Sequence, residues 1–254
     1  MKSVNRSLLL SRRTAVIVRQ VLAFEAAFKA EEKKATLADK EAAIVNTGKP
    51  PNAFSCAATA GKLIRTSLGR LLKDNRDHTV TNRLMKRLMQ VVTQTPGNSH
   101  KEKLHRADLT ILKGFQFNSR SPSFDALPAM IAFKFDRDKG KYQVDISSFN
   151  PMYDLNAPKS ANHFQFVAAA IEFDFVKGTY QGEVWESAKV SCSEIATAPI
   201  ELIMDVSPKS ELPVFLVVGM KFYREMGTAF IPISHSQFQL LEILDVNTFS
   251  NKQY

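Results

Sequence analysis

With 254 residues, 44% of them apolar and 23% charged, the chain can build one large core or two modest ones without disulfide or metal staples, and its composition is not that of a wholly disordered protein. No apolar run approaches the roughly 20 residues that a membrane helix needs, so no membrane partner is expected. The formal net charge of +9 is uneven: residues 1–110 carry 21 Lys and Arg against 9 Asp and Glu, net +12, whereas 111–254 carry 13 against 16, net −3. A basic half of this kind can hold a polyanion, an acidic neighbour or the acidic half of another copy.

The opening Met1-Lys2-Ser3-Val4-Asn5-Arg6 followed by Leu8, Leu9 and Leu10 is superficially like a signal peptide, and Ser11-Arg12-Arg13-Thr14 like a twin-arginine signal. Arg12, Arg13, Arg19 and Glu25 interrupt the apolar stretch that either would need, so a cytoplasmic protein is expected. Residues 14–43 lack Gly and Pro and place Ile17, Val21, Leu22, Phe24 and Phe28 near helical spacing, which predicts one long helix whose charged second half projects into solvent or onto a partner. The run Gly48-Lys49-Pro50-Pro51-Asn52 ends it. A second helix is predicted over 55–72, with Leu63, Ile64, Leu68, Leu71 and Leu72 as its apolar stripe. A third starts at Thr79 or Thr81 as its cap, turning Leu84, Met85, Leu88, Val91 and Val92 inward and Arg83, Lys86 and Arg87 outward.

After the turn-rich linker at 95–101 the period changes from helical to alternating. Strands are expected over 129–135, 141–148, 163–175, 179–190, 200–206, 214–223, 229–233 and 238–246, with Asp136-Arg137-Asp138-Lys139-Gly140 as a hairpin connection. Phe164, Phe166 and Ala168 share one parity while Ile171, Phe173 and Phe175 share the other, which predicts a bulge among Ala168, Ala169 and Ala170. The expected fold is α+β: a basic helical region over residues 1–110, a long helix plus a helical hairpin, followed by an antiparallel β-sandwich domain over 111–254.

Catalytic signatures fail to appear. Gly61-Lys62-Leu63 has Cys56 where a phosphate loop needs its first Gly and no hydroxyl after the Lys; the nucleophile-elbow, His-Glu-x-x-His and dinucleotide patterns do not occur. Cys56 and Cys192 share no metal or redox spacing and suit a reducing compartment, although the two could still form one bridge. His100 and His105 lie in a linker without a nearby Cys or clustered carboxylates. Asp136 and Asp138 imitate the start of a calcium loop that no later Glu completes, so no metal and no cofactor is expected. Glu172 and Asp174 fall on one strand face, where two carboxylates could do acid/base chemistry but more simply mark a solvated face. Trp185, Tyr180 and Tyr153 could form a ligand platform or serve as packing.

The strongest positive signal is Lys62, Arg65, Arg70, Lys73, Arg76, Arg83, Lys86 and Arg87, eight cations within 26 residues accompanied only by the acids Asp74 and Asp77. Helices can present such a set to phosphates, each contact gaining by counterion release, or to an acidic protein surface. No aromatic residues interleave with the cluster to stack bases, so sequence-specific recognition is not expected. The segments Gly61-Lys62-Leu63-Ile64-Arg65, Asn82-Arg83-Leu84-Met85-Lys86, Leu112-Lys113-Gly114-Phe115-Gln116-Phe117-Asn118 and Leu240-Leu241-Glu242-Ile243-Leu244-Asp245-Val246 resemble a family of uncharacterised proteins from Bacteroidota bacteria, over about residues 55–246. The resemblance implies a bacterial origin and no catalytic residues. The sequence therefore points to a non-enzymatic structural or assembly protein forming a homo-oligomer or polymer. The alternatives are a sequence-nonspecific nucleic-acid-associated protein and, with least support, an enzyme using the sheet carboxylates.

Overall fold

The computed structural model describes residues 52–73, 77–96, 104, 107–121, 131–233 and 240–249; the long helix expected over 14–43 and the histidines His100, His105 and His235 lie outside them. Helix α1, Ala53–Ser67, begins where the Asn52 side chain accepts a hydrogen bond from the Ser55 N–H at 2.8 Å, the usual way of satisfying an orphan donor of the first turn. It ends sooner than its apolar stripe suggests: Leu68 leaves helical geometry and one further turn, α2, covers Gly69–Leu72. Helix α3, Val80–Gln94, buries Leu84, Leu88, Val91 and Val92. Thr79 precedes it, but its hydroxyl donates back to Asp77 at 2.6 Å instead of capping the helix.

The strands form two antiparallel sheets. In chain order they are β1 Phe115–Gln116, β2 Ile131–Asp136, β3 Lys141–Ile146, β4 His163–Asp174, β5 Thr179–Glu186, β6 Val190–Ser191, β7 Ile200–Asp205, β8 Val214–Met226, β9 Ala229–Pro232 and β10 Leu240–Asn247, with a single helical turn α4, Pro151–Asp154, before β4. The larger sheet runs β1-β10-β8-β4-β5, with β6 beside β4 and β9 beside β8; the smaller runs β2-β3-β7. The eight strands read from alternation are present within a few residues of their expected ends, except that the one expected over 179–190 stops at Glu186 and resumes at Val190 as β6; the two-residue strand β1 carries no such signal. The Asp136–Gly140 connection is a hairpin: Gly140 adopts φ +65°, and a Cβ there would lie 2.4 Å from the Val206 carbonyl oxygen.

Each face of the larger sheet is covered. On one side Val167, Ala169, Ile171 and Phe173 of β4, with Phe215 and Val217 of β8, share a core with Ile64, Leu84, Leu88 and Val92 of the helices and with Leu109, Leu112, Phe115 and Phe117. On the other side Phe164, Phe166, Ala168 and Ala170 of β4 pack with Leu216, Val218 and Met220 against Tyr142, Val144, Leu202 and Met204 of the smaller sheet. The layers are helices, large sheet, small sheet.

This arrangement corrects one expectation. The pairing of β4 with β8 runs without a shift from His163 opposite Tyr223 to Glu172 opposite Val214, so no bulge interrupts Ala168–Ala170. Both parities of β4 are apolar because both faces are buried; the bulky residues simply move from the small-sheet side to the helix side along the strand. The register irregularity lies in β10, where Leu244 is the extra residue between Ile243 and Asp245. The helices α1 and α3 share one core with the sheet that follows, and residues 51–254 form one compact unit.

Candidate functional site

The helical layer carries eight cations against two acids over residues 52–96, net +6, and the structure sorts those cations by what they touch. Arg76 lies outside the described residues. Lys62, Lys73 and Lys86 are exposed and enter no ion pair among the described residues. Arg65 is half-buried, and its Nε is a buried atom without a hydrogen-bond partner. Arg70 pairs with Glu186 at the end of β5 at 3.4 Å.

Arg83 and Arg87 do not point outward. Both lie beside the buried stripe of α3 rather than opposite it, and one helical turn apart they reach the same neighbouring segment. Arg83 donates from Nη1 to the Gln116 carbonyl at 2.8 Å, from Nε to Thr79 Oγ1 at 3.1 Å and from Nη2 to Asp77 at 2.6 Å, with its guanidinium 5.1 Å from the Phe115 ring centre. Arg87 donates to the Ile111 carbonyl. Asp77 also accepts from the Thr79 N–H at 2.8 Å and the Ser119 N–H at 2.9 Å. Burial alone would raise its pKa, but the donors of Thr79 and Ser119 outweigh that and hold the carboxyl well below the usual carboxylate range.

Between α3 and the segment leading into β1 opens a groove of about 500 Å³, lined by Arg83, Lys86, Arg87, Gln90, Ile111, Gly114, Phe115, Gln116 and Ser119. Three of the predicted cations therefore meet in one concavity, with no acidic side chain among the described residues that line it. Gln90 and the Gly114–Gln116 wall were missed by sequence reasoning, since only the fold brings them to α3.

The opposite outer surface has the opposite sign. Strands β2, β3 and β7 turn Ala132, Lys134, Asp136, Lys141, Gln143, Asp145, Glu201, Ile203 and Asp205 away from the core, four acids against two lysines. Lys141 is already paired with Asp205 at 2.7 Å, while Gln143 Nε2 donates to Asp145 and Glu201 at 3.2 Å each.

The remaining candidates are placed differently from their expectation. Glu172 is buried, not solvated; it accepts from Gln181 Nε2 and Ser207 Oγ at 2.7 Å each and from Ser210 Oγ. Asp174 accepts from the Val176 and Lys177 N–H groups at 3.0 and 2.8 Å and pairs with Lys177, so the two carboxylates fasten a loop and a turn separately. Trp185 and Tyr180 have opposite parity on β5 and hence opposite faces, and Tyr153 is 72% exposed on α4, so the three make no common platform. Cys56 belongs to the helix-side core and Cys192 packs, half-buried, on the small-sheet core, and no disulfide joins them; burial pushes the Cys192 thiol pKa up. Among the described residues no cluster of three or more His, Cys, Asp or Glu could hold a metal, and no helix is long and apolar enough to cross a membrane. No family model matches the chain, and no curated protein or solved structure is found similar to it.

Proposed function

We propose that the chain is a non-enzymatic structural protein that self-associates head to tail, the basic helical face of one copy resting on the acidic outer face of β2-β3-β7 of the next. The observation that carries this reading is the sign of the two outer layers: Lys62, Lys73 and Lys86, exposed and without an ion pair among the described residues, on the helical side, and four acids against two lysines on the other. Complementary patches on opposite sides of a molecule make a heterologous contact, which yields a ring when the rotation closes and a filament when it does not. Such charges set encounter rate and register more than affinity, so association weakens with salt. Cys56 and Cys192, on opposite sides of the large sheet and not bridged to each other, suit a reducing compartment, and we place the protein in the cytoplasm.

Light scattering after size exclusion at low and high ionic strength tests this. Wild type is expected to be oligomeric at low salt, and the triple variant Lys62→Glu, Lys73→Glu, Lys86→Glu monomeric with its fold intact, since exposed substitutions change stability by about 0.5 kcal/mol each. The sheet variant Asp145→Lys, Glu201→Lys should also be monomeric, and mixing the two variants should restore alternating assembly. Retention of the wild-type oligomer by both variants sinks the reading. The second reading, a sequence-nonspecific nucleic-acid-associated protein, draws on the same three exposed lysines; it is favoured if the triple variant keeps the oligomer and loses only salt-sensitive binding to DNA or RNA.

A further inference from the structure

The groove beside α3 holds more positive charge than the fold neutralises. Arg83 and Arg87, four residues apart, repel one another, and among the described residues only Arg83 has an acidic partner, Asp77. Arg87 is satisfied by a neutral carbonyl, and Lys86 has no ion partner among the described residues. Yet both guanidinium groups are fixed in place: Arg83 spends three of its five N–H donors on Thr79, Gln116 and Asp77, and Arg87 spends one on Ile111. Their side-chain entropy is lost on folding, so an anion that takes the remaining donors need not order them again. The groove of about 500 Å³, open to solvent, falls in the size range of small-molecule sites, and its concave wall gathers three cations around one space.

We propose that this groove is a binding site for a phosphorylated small molecule, its phosphoryl group held by Arg87 and Lys86 and the rest of the ligand lying against Arg83 and Gln90. Phosphate matches the planar fork of an arginine, and no carboxylate among the described lining residues competes for it. The nearest ring, Phe115, is 2% exposed beneath Arg83, so the groove offers no platform for stacking a base. The site therefore reads the phosphoryl group and not a nucleobase, and it does not depend on self-association.

Calorimetric titration of the full chain with sodium pyrophosphate and with inorganic phosphate, at constant ionic strength set by chloride, tests the assignment. Saturable binding is expected for wild type, with pyrophosphate the tighter of the two. Lys86→Ala, whose side chain makes no internal ion pair, and Arg87→Gln should each weaken it about tenfold or more, equivalent to 1.4 kcal/mol. Lys62→Ala, the same loss of charge on α1 away from the groove, should leave it unchanged. A melting curve separates lost binding from lost fold in Arg87→Gln, and Lys86→Ala carries the test if that variant unfolds. The proposal is overturned if wild type shows no saturable binding, if Lys62→Ala weakens it as much as Lys86→Ala does, or if only an oligonucleotide binds and pyrophosphate does not.

Discussion

Phe173→Asp is expected to abolish cooperative folding. Phe173 is 1% exposed in the core between the large sheet and the helices, edge-on to Phe215 at 4.9 Å and stacked on Phe175 at 5.5 Å. Removing a buried aromatic ring costs about 3–5 kcal/mol, and leaving an unpaired carboxylate in its place adds several more unless it protonates. Against a typical total stability of roughly 5–15 kcal/mol, that loss takes most or all of the native state. A thermal melt followed by circular dichroism should show no sigmoidal transition near physiological temperature. A variant melting within a few degrees of wild type would mean that the helical layer does not cover this face.

What the sequence disclosed and what it withheld follow from the range over which each signal acts. Strand positions and the Gly140 hairpin are written locally, in period-two alternation and turn residues, and they fall close to where they were expected. Burial on both faces is not local. In β4 the parity change between Phe166 and Ile171 looks like a slip in one strand, yet it records that Phe164 and Phe166 meet the small sheet while Ile171 and Phe173 meet the helical side. Glu172 shows the same limit: alternation with Phe173 suggests a solvated face, whereas Gln181, Ser207 and Ser210, distant in sequence, supply the donors that let a carboxylate be buried. The packing of the helices on the sheet that follows was partly visible. Leu109, Leu112, Phe115 and Phe117 follow the polar linker at close intervals, and they are buried with α1 and α3. For the basic cluster, the helical position of Arg83 and Arg87 beside Leu84 and Leu88 was readable, but their carbonyl partners on the 111–116 segment were not.

That distinction between flanking and outward cations makes the second large effect. Arg83→Glu is expected to destabilise the fold by about 2 kcal/mol, less than the roughly 3–5 kcal/mol of a fully buried pair because the Arg83 side chain is 31% exposed, while Lys86→Glu on the same helix changes stability by only about 0.5 kcal/mol. The new carboxylate would face Asp77 and the Gln116 carbonyl, both of which now accept from the Arg83 guanidinium, so three acceptors would meet without the cation. The Asp77 side chain is only 5% exposed, so little water can screen that repulsion. Acid unfolding provides an independent check. Because the folded pKa of Asp77 is depressed, its contribution is fully present above the unfolded carboxylate value, about 3.9, and is lost as pH falls below that toward the folded value. Asp77→Asn should accordingly cost stability at pH 7 and progressively less as the pH drops below about 4, where wild type loses the same contribution. Urea titrations of wild type, Arg83→Glu, Lys86→Glu and Asp77→Asn at neutral and acid pH decide the matter. Equal midpoints for the two charge reversals would show that the Asp77–Arg83 pair does not fasten α3 to the sheet, and an Asp77→Asn penalty that stays constant with pH would show that the Thr79 and Ser119 donors do not stabilise the ionised carboxylate.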